Sequence, residues 1–548
     1  YEIRPGQLGT GRKFLAITNA AISCLAVPLK KLNVTAYYIH KNTDLRGLSD
    51  LGKYGISRIQ YGPKLGPYNI SGEHQILADV FQVTQKSIHN SKFTSHRIEN
   101  YRKVVQVFCG KRTLPITKVS AKHLRHLSYH EMVAIGIKKI FQDCYFIFPM
   151  LEYLLSKDIH ESMFVGLILW AMSIQGKQLE LIKMSNIWLK RYTDVSDFVK
   201  NIKNDFSLKL KALQNIVSID LTGFFELEVL VNRGVGEMDW EKEKQNRVKP
   251  NLAVFSSDVI YEKSRNLFTK IRNKGVKPPN EKWDNFFKKR WVWAPTGSFH
   301  SQYNEDLAYQ AKDRSLRHKL YTLTRMPDLP FNHFYDRQPE CRSWPSVKYE
   351  WTKMRAIYGV DITNFIMCSY GMAGAEDVLA AYFPIGKAAT EENVSLKVKE
   401  ILRNGIPFCF DFEDFNSQHS TEAMSAVLFA YADCFQNDID EKQKMAIEWV
   451  ATALRHNYIK GQDGRWFETH GTLMSGWRLT TFMNTILNRI YIEQCLGETN
   501  MITTHNGDDV LGAVVNLDQV LKLMKGTVKH NVRFQKNKCF LGAVAEFL

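Results

Sequence analysis

Between residues 406 and 515 the hydrophobic period switches from strand to helix and back, and the strand-like stretches meet acids at their tips. Ile406-Pro407-Phe408-Cys409-Phe410 is an unbroken apolar run that stops at Asp411. A run of that length reads as a buried strand delivering a carboxylate at its end. From about Ser420, Met424, Val427, Leu428, Tyr431 and Phe435 recur at helical spacing. Leu479, Phe482, Met483, Ile486, Leu487, Ile490 and Tyr491 trace a second helical stripe, while Thr480 and Asn484, four apart, share another face. Ser475-Gly476 precedes that helix, where serine caps and glycine lets the backbone come close to a ligand. Met501–His505 and Val510–Val515 then flank Asn506-Gly507-Asp508-Asp509, a strong hairpin signal. Strand, helix, helix and hairpin in that order predict a compact α+β layer with its acids along one sheet edge.

An isolated Asp-Asp is ordinarily a solvated turn, and an aromatic-rich stretch such as FCFDFEDF (408–415) is ordinarily core. Three such blocks, in an order that brings their acids together, are much more specific. Carboxylates gathered at one edge suit magnesium, which takes oxygen ligands and is usually shared between one or two carboxylates and substrate phosphates. Two such ions activate an attacking oxygen and stabilise a leaving one in an in-line displacement. The pattern therefore points to nucleotidyl transfer.

At these residues the chain resembles viral RNA-dependent RNA polymerases, most closely those of double-stranded RNA viruses of the totivirus type. FCFDFEDFNSQHS (408–420) is similar to the family's motif A. Ser475, Gly476, Thr480 and Asn484 fit its motif B, and Gly507-Asp508-Asp509 its motif C. WAPTGSFHSQY (293–303) and VKYEWTKMRAIYGVD (347–361) are similar to finger-domain blocks, so the resemblance spans roughly 290–548. It implies a right-hand polymerase with a large helical N-terminal region. On that reading 1–130 is a basic N-terminal region and 131–290 a helical one; fingers occupy 291–400, the palm 401–548, and the thumb is missing. Asp411 and Asp508 become the principal ligands of two Mg²⁺ ions, with Mn²⁺ able to substitute, and Asp509 assists them. Glu413 and Asp414 are nearby acids without an assigned role. Lys348, Lys353 and Arg355 would hold the triphosphate, since arginine's planar fork grips phosphate oxygens in pairs and lysine acts as a point charge. Lys536 or Lys538 would protonate the departing pyrophosphate.

Sugar choice falls to Asn416, five residues after Asp411, together with Asn484 and either Ser475 or Thr480. A site built to hydrogen-bond a ribose 2′-hydroxyl rejects a sugar lacking it, because its own polar groups are left unpaired. Reverse transcriptases of similar architecture carry a bulky aromatic near that position and Tyr-x-Asp-Asp in the hairpin. Asn416 and Gly507 thus favour ribonucleotides, with a reverse-transcriptase-like DNA polymerase or a capsid-tethered RNA-packaging module as alternatives. The implied partners are RNA, ribonucleoside triphosphates and a viral capsid protein, inside a virion or the host cytoplasm.

Charge agrees with an RNA partner. The formal net charge is +17, and residues 1–130 hold 20 lysines and arginines against 6 acids, while 131–548 hold 53 against 50. A basic quarter interleaved with tyrosines and histidines suits the wall of an RNA path or a contact with an acidic capsid interior. The nine cysteines show no CxxC and no paired spacing, which predicts buried free thiols rather than zinc ligands or disulfides. Met163–Ile174 is apolar but too short to span a bilayer, so a core helix is expected. Residues 240–290 are charged and carry prolines, the pattern of an exposed connection. Polar residues within Phe14–Leu29 argue against a signal peptide, and a start at Tyr1 suggests a piece excised from a longer precursor.

Overall fold

The structure, a computed structural model, describes the backbone of three strands before residue 40, residues 101–115, parts of 134–227, and then 238–349, 354–535, 539–541, 545 and 547. Its contacts divide the chain into two compact units. One comprises Tyr1–Met238, Lys348–Arg355 and Gly542–Val544; the other comprises Asp239–Val347, Ala356–Leu541 and Ala545–Leu548.

In the first unit, β1 (Glu2–Pro5), β2 (Cys24–Leu29) and β3 (Val34–Ile39) form an antiparallel sheet with β3 in the middle. Helices α1 (Arg102–Phe108), α2 (Phe148–Leu154) and α3 (Glu161–Ser173) share one apolar core. Met163, Phe164, Val165, Leu167, Ile168, Trp170 and Ala171 of α3 are all buried. A helix apolar all round has to be covered all round, so Met163–Ile174 is the core element its composition predicts. No helix among the described residues is long and apolar enough to cross a membrane.

While Lys348–Arg355 of the 347–361 block groups with the first unit, the second carries the blocks around Asp411, Ser475 and Asp508. It opens on α4 (Trp240–Val248) and α5 (Ser257–Asn273). Contrary to the expectation for 240–290, this segment is packed. Ile260, Ser264, Phe268 and Ile271 of α5 are buried; their helical spacing is hidden in the sequence by the charged residues of the solvent face. Further along lie β4 (Cys341–Tyr349), β5 (Met354–Val360), α6 (Ile362–Gly371), β6 (Ile406–Phe410), α7 (Thr421–Phe435), β7 (Asn457–Lys460), β8 (Trp466–Thr469) and α8 (Thr480–Leu496). The chain then runs through β9 (Ile502–Asn506), β10 (Asp509–Val514), α9 (Leu517–Lys529) and β11 (Phe540–Leu541).

The strands build two sheets, in the orders β5-β4-β7-β8 and β11-β6-β10-β9. In the second sheet every neighbouring pair is antiparallel. All five residues of β6 are buried, which is why its sequence is continuously apolar rather than alternating. Ser420 caps α7, accepting from the amide of Ala423 at 3.0 Å, at the helix start the sequence predicts.

One ring ties the helices together. Phe268 of α5 meets Tyr431 of α7 edge-on at 5.2 Å and stacks on Phe482 of α8 at 6.2 Å. A strap in front of α5 does the same for the backbone. Ala253 N donates to Gln418 O at 2.9 Å and Val254 N to His530 O at 2.8 Å. Phe255 is sandwiched between Tyr491 (4.4 Å) and His530 (4.6 Å). Aromatic contacts of this kind add roughly 0.5–1.5 kcal/mol each beyond the area they bury. Phe268→Ala should lower the unfolding free energy by about 3–5 kcal/mol, the usual cost of deleting a buried phenylalanine. Guanidinium denaturation followed by tryptophan fluorescence measures it.

Candidate active site

Strand pairing alone brings the acids together. Val510 of β10 faces Phe410 of β6, so one step outward in the same register Asp509 stands across from Asp411. Neighbouring strands lie about 5 Å apart, and directly opposed residues project to the same face. Asp508 is next to them in the turn closed by the Asn506–Asp509 pair. The structure closes the turn over the expected four residues: its two loop positions are Gly507 and Asp508, with Gly507 at positive φ (60°). Glycine at the first loop position is what a II′ hairpin asks for. Asp411 is half-buried, while Asp508 and Asp509 are exposed.

The hairpin tip is held from α8. Gly507 N donates to Thr485 Oγ1 at 2.8 Å, and that hydroxyl donates to Thr481 O at 2.7 Å. Asn488 Nδ2 donates to the carbonyls of Gly507 and Asp509, both at 3.1 Å. His505 Nδ1 sits 3.0 Å from Asn488 Oδ1, and its Nε2 sits 2.8 Å from Thr503 Oγ1. Burial drives the His505 pKa well below its ordinary value, so the ring is neutral. Since Asn488 Oδ1 only accepts, the single ring proton belongs on Nδ1. Asp411 is pinned through its backbone: its carbonyl accepts from Gln535 N at 2.8 Å and its amide donates to Cys539 Sγ at 3.4 Å.

After Asp411 the chain turns through Asp414, a non-glycine residue at φ 41°, into a 3₁₀ turn at Phe415–Gln418. The wholly buried Gln418 braces it, donating to Glu413 O (2.8 Å) and Arg533 O (3.0 Å) and accepting from Arg533 N (2.9 Å). This turn puts Asn416 Oδ1 2.8 Å from Asn484 Nδ2. Behind the pair, His419 Nε2 is 3.0 Å from Asn484 Oδ1 and His419 Nδ1 is 3.1 Å from the Tyr491 hydroxyl.

Of the other expected residues, Gly476 forms a bridge with Gly359, and a β-carbon on it would lie 2.1 Å from Tyr358 O. No side chain fits there. Ser475 is not the cap of α8, whose N-cap is Leu479. Its hydroxyl donates to Ala356 O at 3.2 Å and accepts from Tyr358 N at 3.3 Å, stitching this segment to β5. Thr480 Oγ1 donates to Trp477 O at 2.8 Å. Lys348 and Arg355 are exposed and group with the first unit. Lys353, Lys536 and Lys538 lie outside the described residues.

Among the described residues one group of three has ligand atoms all within 4.8 Å of one another: Glu305, Asp306 and His333. A cation already fills it. The buried Arg337 takes both oxygens of the fully buried Asp306 at 2.9 Å, donates to Glu305 and lies 3.0 Å from His333 Nε2. That forked geometry is a structural ion pair. Asp411, Asp508 and Asp509 offer carboxylate oxygens, the hard ligands that Mg²⁺ selects.

A family profile described as viral RNA-directed RNA-polymerase matches residues 157–548. The "probable RNA-directed RNA polymerase" of Saccharomyces cerevisiae virus L-A is 35% identical over 448 residues, 80% of this chain and 30% of that protein. The protein of the same description from Saccharomyces cerevisiae virus L-BC is 36% identical over 345 residues, 62% of this chain and 23% of its own length. That of Leishmania RNA virus 1 is 24% identical over 404 residues, 71% of this chain and 44% of its own. The chain therefore spans less than a third of the two yeast-virus proteins. Asn488→Ala should cost about 2–4 kcal/mol of stability, because it removes two hydrogen bonds to the hairpin backbone and the Asn488 acceptor of the buried His505 Nδ1–H. Hydrogen exchange at residues 505–510, faster in the variant than elsewhere in β9 and β10, locates the damage.

Proposed function

The chain belongs to the viral RNA-directed RNA polymerases, and on that premise we propose that it performs template-directed RNA synthesis on a double-stranded RNA viral genome. In this reading it folds as a right hand, with fingers at 291–400 and a palm from 401 onward. A template strand pairs with an incoming ribonucleoside triphosphate, and the 3′-oxygen of the growing strand attacks its α-phosphate. The observation that carries the proposal is the register that sets Asp509 across from Asp411 with Asp508 in the adjoining turn.

Asp411, Asp508 and Asp509 would hold two Mg²⁺ ions, which neutralise phosphate charge and lower the pKa of the attacking hydroxyl when bound. Everything else is the work of the chain. Phosphoryl transfer demands mainly positioning and charge neutralisation, so a rigid hairpin tip is itself a catalytic asset. Thr485 and Asn488 supply that rigidity without adding charge beside the acids. The Asn416–Asn484 pair supports ribose selection at the sugar edge. Lys348, Lys353 and Arg355 would contact the triphosphate, and Lys536 or Lys538 would donate a proton to the pyrophosphate.

Asp508→Asn should abolish templated incorporation, by more than about a thousandfold on the scale of other preorganised electrostatic sites. RNA binding should stay within about threefold, since backbone affinity comes from lysine and arginine contacts. A primer- or template-directed incorporation assay paired with filter binding checks both, and retained synthesis would refute the assignment. Asn416→Ala should raise deoxynucleotide use relative to ribonucleotide use, read as the ratio of kcat/KM values for ATP and dATP.

A further inference from the structure

Behind the sugar-facing amides runs a hydrogen-bond chain with a defined direction. Its links are the Tyr491 hydroxyl to His419 Nδ1 (3.1 Å), His419 Nε2 to Asn484 Oδ1 (3.0 Å), and Asn484 Nδ2 to Asn416 Oδ1 (2.8 Å). His419 and Tyr491 are 0% and 1% exposed and Asn484 is 5% exposed. Phe415 covers His419 edge-on at 4.4 Å and Phe255 stacks on Tyr491 at 4.4 Å, so these inner links are shielded from water.

Each link constrains the next. Burial holds the His419 pKa down at about 4, so the neutral ring carries one proton. Asn484 directs its Nδ2 to Asn416 Oδ1 and its own Oδ1, which can only accept, to His419 Nε2, so the ring proton sits on Nε2. Nδ1 is then the acceptor, and the Tyr491 hydroxyl, whose pKa burial pushes up, keeps its proton and donates it there. What Asn416 has left is its own Nδ2, a donor. Two asparagines alone would have no such direction, because an amide pair is equally satisfied with both heads reversed.

We propose that His419 and Tyr491 are positioning residues for sugar selection, fixing the polarity of the Asn484–Asn416 pair so that Asn416 presents an N–H to the 2′-hydroxyl oxygen of an incoming ribonucleotide. The proposal rests on the polymerase reading above and deepens it. Neither residue touches the nucleotide; both act through Asn484. A deoxyribose would leave the Asn416 donor without its acceptor, and a relay free to reverse would relax the choice.

The test compares the full-length chain with His419→Leu, His419→Gln and Tyr491→Phe. Two readouts are taken: equilibrium binding of ATP and dATP by calorimetry, and templated incorporation of each. Circular dichroism checks the fold. His419→Leu should cut the preference for ATP about three- to tenfold, what one neutral hydrogen bond is worth, and chiefly in KM. His419→Gln, whose Nε2 can still donate to Asn484, should restore it to within about twofold. Tyr491→Phe should fall between, and it decides the matter should His419→Leu fail to fold. An unchanged preference in folded His419→Leu or Tyr491→Phe overturns the proposal. Equal loss toward ATP and dATP that glutamine does not rescue overturns it too, as does a wild-type chain binding both nucleotides equally. A chain that binds ATP in preference yet joins no nucleotides counts against the polymerase reading and supports the relay.

Discussion

Asp508 and Asp509 sit on a hairpin turn across from the end of the strand that carries Asp411, and the backbone of that turn is held from α8. The groups that hold it are neutral. Thr485 and Asn488 grip the backbone of the Gly507–Asp509 turn, and a buried uncharged histidine, His505, orients Asn488. The contrast lies in the same unit: where Arg337 enters a nest of Asp306, Glu305 and His333, the acids are consumed by the ion pair. Acids paired to a buried guanidinium in this way serve as scaffold.

The same device recurs one strand away. His419 stands to Asn484 as His505 stands to Asn488, each a fully buried neutral imidazole locking an asparagine of α8. The two asparagines are one turn apart on that helix. One secures the Gly507–Asp509 hairpin and the other reaches the turn that follows Asp411. Thus α8 sets the spacing between the acids and the amide pair, and its own position is fixed by Phe268 and by the bridge between Gly476 and Gly359.

Much of this was legible in the sequence. The period changes located β6, α7, α8 and the β9–β10 hairpin, because each element buries one face or both and the pattern records it. The acids were legible for the same reason: they sit where apolar runs stop. The supporting histidines were not. His505 occupies an inward position in a strand and His419 follows a turn, and nothing in their spacing distinguishes them from ordinary buried residues. Tyr491 was counted in the apolar stripe of α8, correctly for its ring, but the stripe says nothing about where the hydroxyl points. Residues 240–290 misled because charge density on one helical face outweighed the four positions that pack.

The strap at 251–256 bears on where such a polymerase can be cut. The motifs begin near residue 290, and a minimal catalytic piece drawn from them alone would start there. It would lack Phe255, whose ring separates Tyr491 from His530, and the backbone links from Ala253 and Val254 to Gln418 and His530. It would also lose Phe268 and with it the joint between α7 and α8. A core that keeps these contacts therefore has to begin no later than Asn251, and the first forty or so of its residues, which carry no recognisable motif, serve as a girdle around the ones that do.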